Sequence, residues 1–155
     1  MSVRAFGAAT LVPGAAHGAP FLLDEPLSFW GGLDPASGTI IDRRHPQAGA
    51  SVADRMLMMP AGRGSSGGSA ILAETLRLRK GPVGILMLER DAIIVVGAMV
   101  AAELYGRACP VALVSERDWP ALAAAARLGI EASPGGTAIS AELDVQAPGA
   151  RRGGR

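Results

Sequence analysis

The rhythm of apolar and polar positions changes near residue 51. Before it, short apolar pieces (ATLV at 9–12, PFLL at 20–23, GTII at 38–41) are separated by PGAAHGA, DEPLSFWGGLDPASG and DRRHPQAG. Pieces of that length bounded by Gly, Pro and Asp read as strands and ordered loops. Asp34-Pro35-Ala36-Ser37-Gly38 has turn chemistry, with proline presetting φ and glycine free to take φ > 0. Trp30, before Gly31-Gly32, is expected as a buried ring over a tight turn. After Ser51 strands and helices alternate. Arg55–Met59 predicts a strand ending at Pro60. A loop AGRGSSGGS leads to a helix over AILAETLRLRK, whose Ile71, Leu72, Leu76 and Leu78 recur at helical spacing. Arg77, Arg79 and Lys80 gather at its C-terminal end, favourable to its dipole, and Gly81-Pro82 stops it. Val83–Leu88 is the next strand. IIVVGAMVAAELYG predicts a mostly buried helix closed by Gly106, and PVALVS a third strand. Asp118-Trp119-Pro120 opens a helix over ALAAAARLG, proline being tolerated in the first turn. IEAS and TAISAEL close the pattern as strands. The expectation is one α/β domain over residues 1–145, a β-rich N-terminal layer beside a partly parallel β-α-β-α-β sheet. The Gly/Arg-rich tail, 146–155, is expected to be disordered.

Composition narrows the function classes. The chain has 155 residues, 49% apolar and 19% charged, so wholesale disorder is excluded. At that length roughly 70% of the unfolded surface is buried on folding, without disulfides or metal. A net charge of +1 and 4% aromatics argue against a nucleic-acid binder, which needs a basic face and stacking rings. The longest uncharged apolar run, Ala92–Ala102, falls short of the ~20 residues that span a bilayer, so no membrane partner is expected. Arg4 followed by AFGAATLVPGAAHGA has the outline of a signal peptide, but Gly7, Pro13 and Gly14 interrupt its apolar core. The cytoplasm is the expected location. One cysteine, Cys109, can neither form an internal disulfide nor hold zinc or an iron–sulfur cluster alone; before Pro110, it reads as inert core.

The segment Gly62-Arg63-Gly64-Ser65-Ser66-Gly67-Gly68-Ser69 is the richest in chemistry. A loop between a strand and a helix brings backbone N–H groups and the positive end of a helix dipole to an anion. Arg63 adds a planar fork suited to a carboxylate. Ser65 or Ser66 could donate to an oxyanion, cap the helix, or lose a proton more easily than a free serine. In the plainer alternative these serines only cap and the glycines only turn. Residues 62–67 also match the dinucleotide fingerprint GxGxxG, with Glu89 ending the following strand near where a ribose-binding acid belongs. A stand-alone nucleotide-binding module is therefore the competing class, although Pro60 interrupts the strand-to-glycine entry and no Walker lysine follows. His17 and His45 lack partners at catalytic or metal spacing and read as turn histidines. Asp42, Arg43 and Arg44 read as a solvated bend, and Met56, Met58 and Met59 as strand packing. No GxSxG elbow is present. The loop is half of an active site, with no acid, metal or second catalytic group beside it.

Three runs in order, FWGGLDPASGTIIDRRHP, LMMPAGRGSSGGSAIL and DAIIVVGAMVAAELYGRACPVAL, resemble the small subunit, or swivel domain, of the aconitase X family. The resemblance covers roughly Ala8–Ser115. It implies a swivelling β/β/α domain similar to the C-terminal swivel domain of aconitase. It implies a hydro-lyase in which a large subunit carries an iron or iron–sulfur centre and this chain, binding no cofactor alone, supplies a serine base from the GRGS loop. By motif that base is Ser65, with Arg63, Gly64 and Ser66 holding the anionic group of a small hydroxy acid. Gly67-Gly68 departs from the serine-rich continuation common in the family. The family includes cis-3-hydroxy-L-proline dehydratases of bacteria and phosphomevalonate dehydratases of archaea. The Ala-, Gly- and Arg-rich composition suggests a GC-rich bacterial genome and favours the hydroxyproline reaction.

Overall fold

A computed structural model describes residues 1–144; the expected disordered tail, 146–155, lies outside them. Strands β1 (Ser2–Val12), β2 (Gly14–Gly18) and β3 (Pro20–Leu22) open the chain. A short segment α1 (Phe29–Gly32), broken at Trp30 and Gly31, leads into the small hairpin β4 (Leu33–Asp34) and β5 (Thr39–Ile40). Then follow β6 (Met56–Met58), α2 (Gly68–Arg77), β7 (Gly84–Met87), α3 (Ala92–Tyr105) and β8 (Val111–Leu113). The chain closes with α4 (Trp119–Ala123), β9 (Arg127–Ser133) and β10 (Gly136–Leu143).

Eight strands form one sheet in the order β2-β9-β10-β1-β8-β7-β6-β3. The β8, β7, β6 and β3 pairings are parallel, whereas β1, β2, β9 and β10 pair antiparallel. β1 joins the two halves. Its residues 2–8 pair with β10, and after Ala8 it crosses to β8, with a register shift between Thr10 and Val12. The two edge strands, β2 and β3, are consecutive in the chain, and Gly18 sits so close to the backbone of Asp54 and Met56 that a Cβ there would lie 2.9 Å from the Asp54 carbonyl. The sheet is therefore nearly closed.

The strand period of two divides the apolar residues between two cores. Leu57 and Met59 of the β6 run, with Ile85, Met87 and Val111, face the helices, joining Leu72 and Leu76 of α2 and Ile94 and Ala98 of α3. Met56 and Met58, with Leu86 and Ala112, face inward against Leu122, Leu128, Ile130 and Ile139. The result is a β/β/α arrangement, as expected. Helix ends follow local chemistry. The Asp91 carboxylate accepts from the N–H groups of Ile93 and Ile94 at 2.8 and 3.1 Å, and Gly106, at φ 62, closes α3.

Several expectations need correction. α4 ends at Ala123, and Arg127–Gly129, expected as helix, belongs to β9, which pairs with β10 along its whole length. The PGAAHGA stretch, expected as a turn, contains β2, and His17 lies on that strand with Arg127 Nη2 3.2 Å from its Nδ1. α3 is buried on one side only, with Val96 and Met99 exposed. Trp30 is 59% exposed; the ring buried beneath that turn is Phe29.

Candidate functional site

The glycine-rich loop leaves the C-terminal end of β6 and enters α2, the position a parallel β-α-β unit reserves for ligands. It is exposed from Arg63 to Ser66. The Ser65 hydroxyl oxygen accepts the Gly67 N–H at 3.3 Å, and the Ser65 carbonyl accepts the Gly68 N–H at 2.9 Å. Ser66 accepts the Ser69 N–H through its carbonyl, and the Ser69 hydroxyl donates to the Ile93 carbonyl at 2.6 Å, tying the start of α2 to α3. The amides at the mouth of the helix are thus committed to the loop itself. Those of Gly64, Ser65 and Ser66 have no hydrogen-bond partner among the described residues, nor does the Arg63 guanidinium. Arg63, Gly64, Ser65 and Ser66 therefore lie together on one exposed turn, as the sequence places them, with donors free to take an anion.

Three glycines of the loop are explained by protein packing. A Cβ on Gly62 would fall on the Asp91 carboxylate, and one on Gly64, at φ 122, would lie 2.5 Å from the Ser28 hydroxyl. A Cβ on Gly67 would lie 2.8 Å from the Trp30 indole. The fingerprint spacing thus arises from close approach of α1 and of the α3 cap, with no nucleotide needed to account for it. Sequence reasoning missed Ser28, Trp30 and Asp91 as neighbours of the loop. Only the fold shows which glycine each one meets.

The remaining candidates lie elsewhere. His45 is buried in its turn, its Nδ1 accepting the Gln47 N–H at 3.1 Å and its Nε2 3.0 Å from the Glu25 carbonyl, a pattern that needs the Nε2–H tautomer. Asp42 accepts the Arg44 N–H in a local turn. Cys109 is fully buried, and burial pushes its thiol up to about 12, which keeps it protonated. No three His, Cys, Asp or Glu side chains converge to hold a metal among the described residues. Grooves along β2, β9 and β10, lined by Ala15, His17, Ile130 and Ser140 among others, contain none of the loop's residues. No helix among the described residues is long and apolar enough to cross a membrane.

A family model described as the aconitase X swivel domain matches residues 5–139. The chain is 46% identical over 108 residues to a cis-3-hydroxy-L-proline dehydratase of Pseudomonas aeruginosa, a match covering 70% of this chain and 19% of that one. The chain thus spans about a fifth of that relative's length. It is 38% identical over 88 residues to the phosphomevalonate dehydratase small subunit of Methanothermobacter thermautotrophicus, covering 57% of this chain and 67% of that one. In fold it is similar to the holo-form crystal structure of Thermococcus kodakaraensis aconitase X, with a TM-score of 0.72 at 23% identity, over 89% of this chain and 98% of the other.

Proposed function

The chain belongs to the aconitase X swivel-domain family, and from that premise we propose that it is the serine-bearing small subunit of a heteromeric hydro-lyase that dehydrates a small hydroxy acid. The substrate assigned is cis-3-hydroxy-L-proline, converted to a pyrroline-2-carboxylate. The observation that carries the reading is the Ser65 hydroxyl, which receives the Gly67 N–H on a turn that also presents the unpaired Arg63.

Dehydration removes a proton from the carbon beside the carboxylate and hydroxide from the next carbon, the C–H electron pair becoming the double bond. Ser65 Oγ takes that proton. A free serine is far too weak a base. The Gly67 N–H directed at Oγ is a donor of the kind that stabilises an alkoxide. Arg63, with the amides of Gly64 and Ser66, holds the carboxylate in place. The described residues offer no ligand set for iron. As the resemblance implies, the iron or iron–sulfur centre expected for such a reaction belongs to the large subunit, and this chain's share is proton transfer and carboxylate binding.

Phosphomevalonate is the second reading. It is supported by the match to the phosphomevalonate dehydratase small subunit, of which the chain covers 67%. The identity of 46% against 38% supports the first. Anaerobic assay of the chain combined with its large subunit on both compounds decides between them. Turnover of cis-3-hydroxy-L-proline alone is expected; turnover of phosphomevalonate alone keeps the chemistry and overturns the substrate.

A further inference from the structure

Gly67 has φ −62 and ψ −18, a conformation open to any residue. No turn or strain therefore explains a glycine there. The obstacle is a single ring. A Cβ at residue 67 would stand 2.8, 3.1 and 3.4 Å from three carbons of the Trp30 indole. Trp30 is in turn fixed from both sides. Phe29 before it is 2% exposed in the core, Gly31 after it turns at φ 76, and the Ser28 hydroxyl donates to the Trp30 carbonyl at 3.2 Å. A large aromatic 59% exposed beside the buried Phe29, with its ring against one glycine, is an odd arrangement for a residue that only fills space.

The Gly67 N–H is the donor to Ser65 Oγ. Whatever fixes Gly67 fixes that donor. The glycines flanking Arg63 pack against Asp91 and Ser28 and not against the Trp30 ring; Ser28 meets Trp30 only at its backbone carbonyl, which a side-chain substitution keeps. We propose that Trp30 is a positioning residue for Ser65: its indole, laid across Gly67, keeps the Gly67 N–H aimed at the serine oxygen and so keeps the base poised. This rests on the reading of Ser65 as base. Trp30 acts on proton transfer and not on carboxylate binding, so kcat and KM should separate.

The test uses the assembled complex with Trp30→Ala, Trp30→Phe, Gly67→Ala and the Trp30→Ala/Gly67→Ala pair. Trp30→Ala is expected to lower kcat roughly 10- to 100-fold with KM within about threefold, as misplacement of a reacting group does. Trp30→Phe, which keeps a ring over Gly67, should stay within about threefold of the unaltered complex in kcat. Gly67→Ala alone should cost about as much as Trp30→Ala, and the pair no more than Trp30→Ala, since the ring that the methyl would meet is gone. Multiplying losses, a Trp30→Ala kcat within twofold, or failure of that variant to assemble with the large subunit would each overturn the proposal. Amide exchange of the chain itself is the readout independent of activity. Trp30→Ala should speed exchange at Gly67 and Gly68 on the order of tenfold while Trp30→Phe does not. Should the unaltered complex turn over neither substrate, the base assignment fails, and the exchange rates still decide whether Trp30 holds the loop; unchanged rates would overturn it.

Discussion

Burial keeps the Cys109 thiol protonated up to about 12, against an ordinary 9.0. Between those values the unfolded chain loses the proton and the folded chain keeps it. Stability should therefore be indifferent to this group below about pH 9 and fall as pH rises from there toward 12. Urea midpoints measured across that range should drop in the unaltered chain more steeply than in Cys109→Ala, and iodoacetamide should label Cys109 only after unfolding. Equal slopes would contradict the burial argument. That Cys109 was inert core could be read from an apolar strand opening at Pro110. Ser65 and Ser66 could not be told apart from the residues without the family motif, because neighbouring serines on one loop differ only in which amide reaches which oxygen. The structure gives Ser65 Oγ the Gly67 N–H, whereas the hydrogen bond at Ser66 is made by its carbonyl. Trp30 shows the opposite failure. A tryptophan before two glycines reads as a buried ring, yet the neighbouring Phe29 occupies the core and Trp30 lies over the loop.

Among the elements, β6, α2, β7, α3 and β8 were legible because their apolar runs are long and bounded by Gly, Pro or a capping Asp. β9 was hidden. ALAAAARLG has high helix propensity, but seven paired positions with β10 outweigh a few tenths of a kcal/mol per residue. β2 carries no large apolar residue and could be found only through its partner, β9. The contact that binds the helical layer is sharper. At Gly97 a Cβ would lie 2.9 Å from the Ser69 carbonyl and 3.1 Å from the Leu72 Cβ, so α2 and α3 touch backbone to backbone there. Gly97→Val should destabilise the fold by about 1–3 kcal/mol through overpacking, read from urea melts. A variant as stable as the parent would mean that the helices can separate at no cost.

At the scale of the molecule, the sheet rolls nearly shut and the glycine loop opens outward from the end of β6. An α/β domain with a β-rich layer beside a partly parallel sheet followed from the order of elements, and the resemblance implied its β/β/α form. The proposed completion of the site rests on the resemblance, which assigns the metal centre to a large subunit. The isolated chain should therefore show no turnover of cis-3-hydroxy-L-proline or phosphomevalonate at any concentration. Activity should appear on addition of the large subunit and saturate with it. Turnover by the chain alone would contradict the division of labour.

The most direct measurement compares the unaltered complex with Ser65→Ala, under anaerobic conditions and at saturating substrate, after confirming equal assembly and melting temperature. Loss of a catalytic proton acceptor should lower kcat by at least ~100-fold. If Ser65 only caps the turn, the substitution instead costs about 1 kcal/mol of stability and leaves turnover within about threefold. That second result would remove the base from this chain.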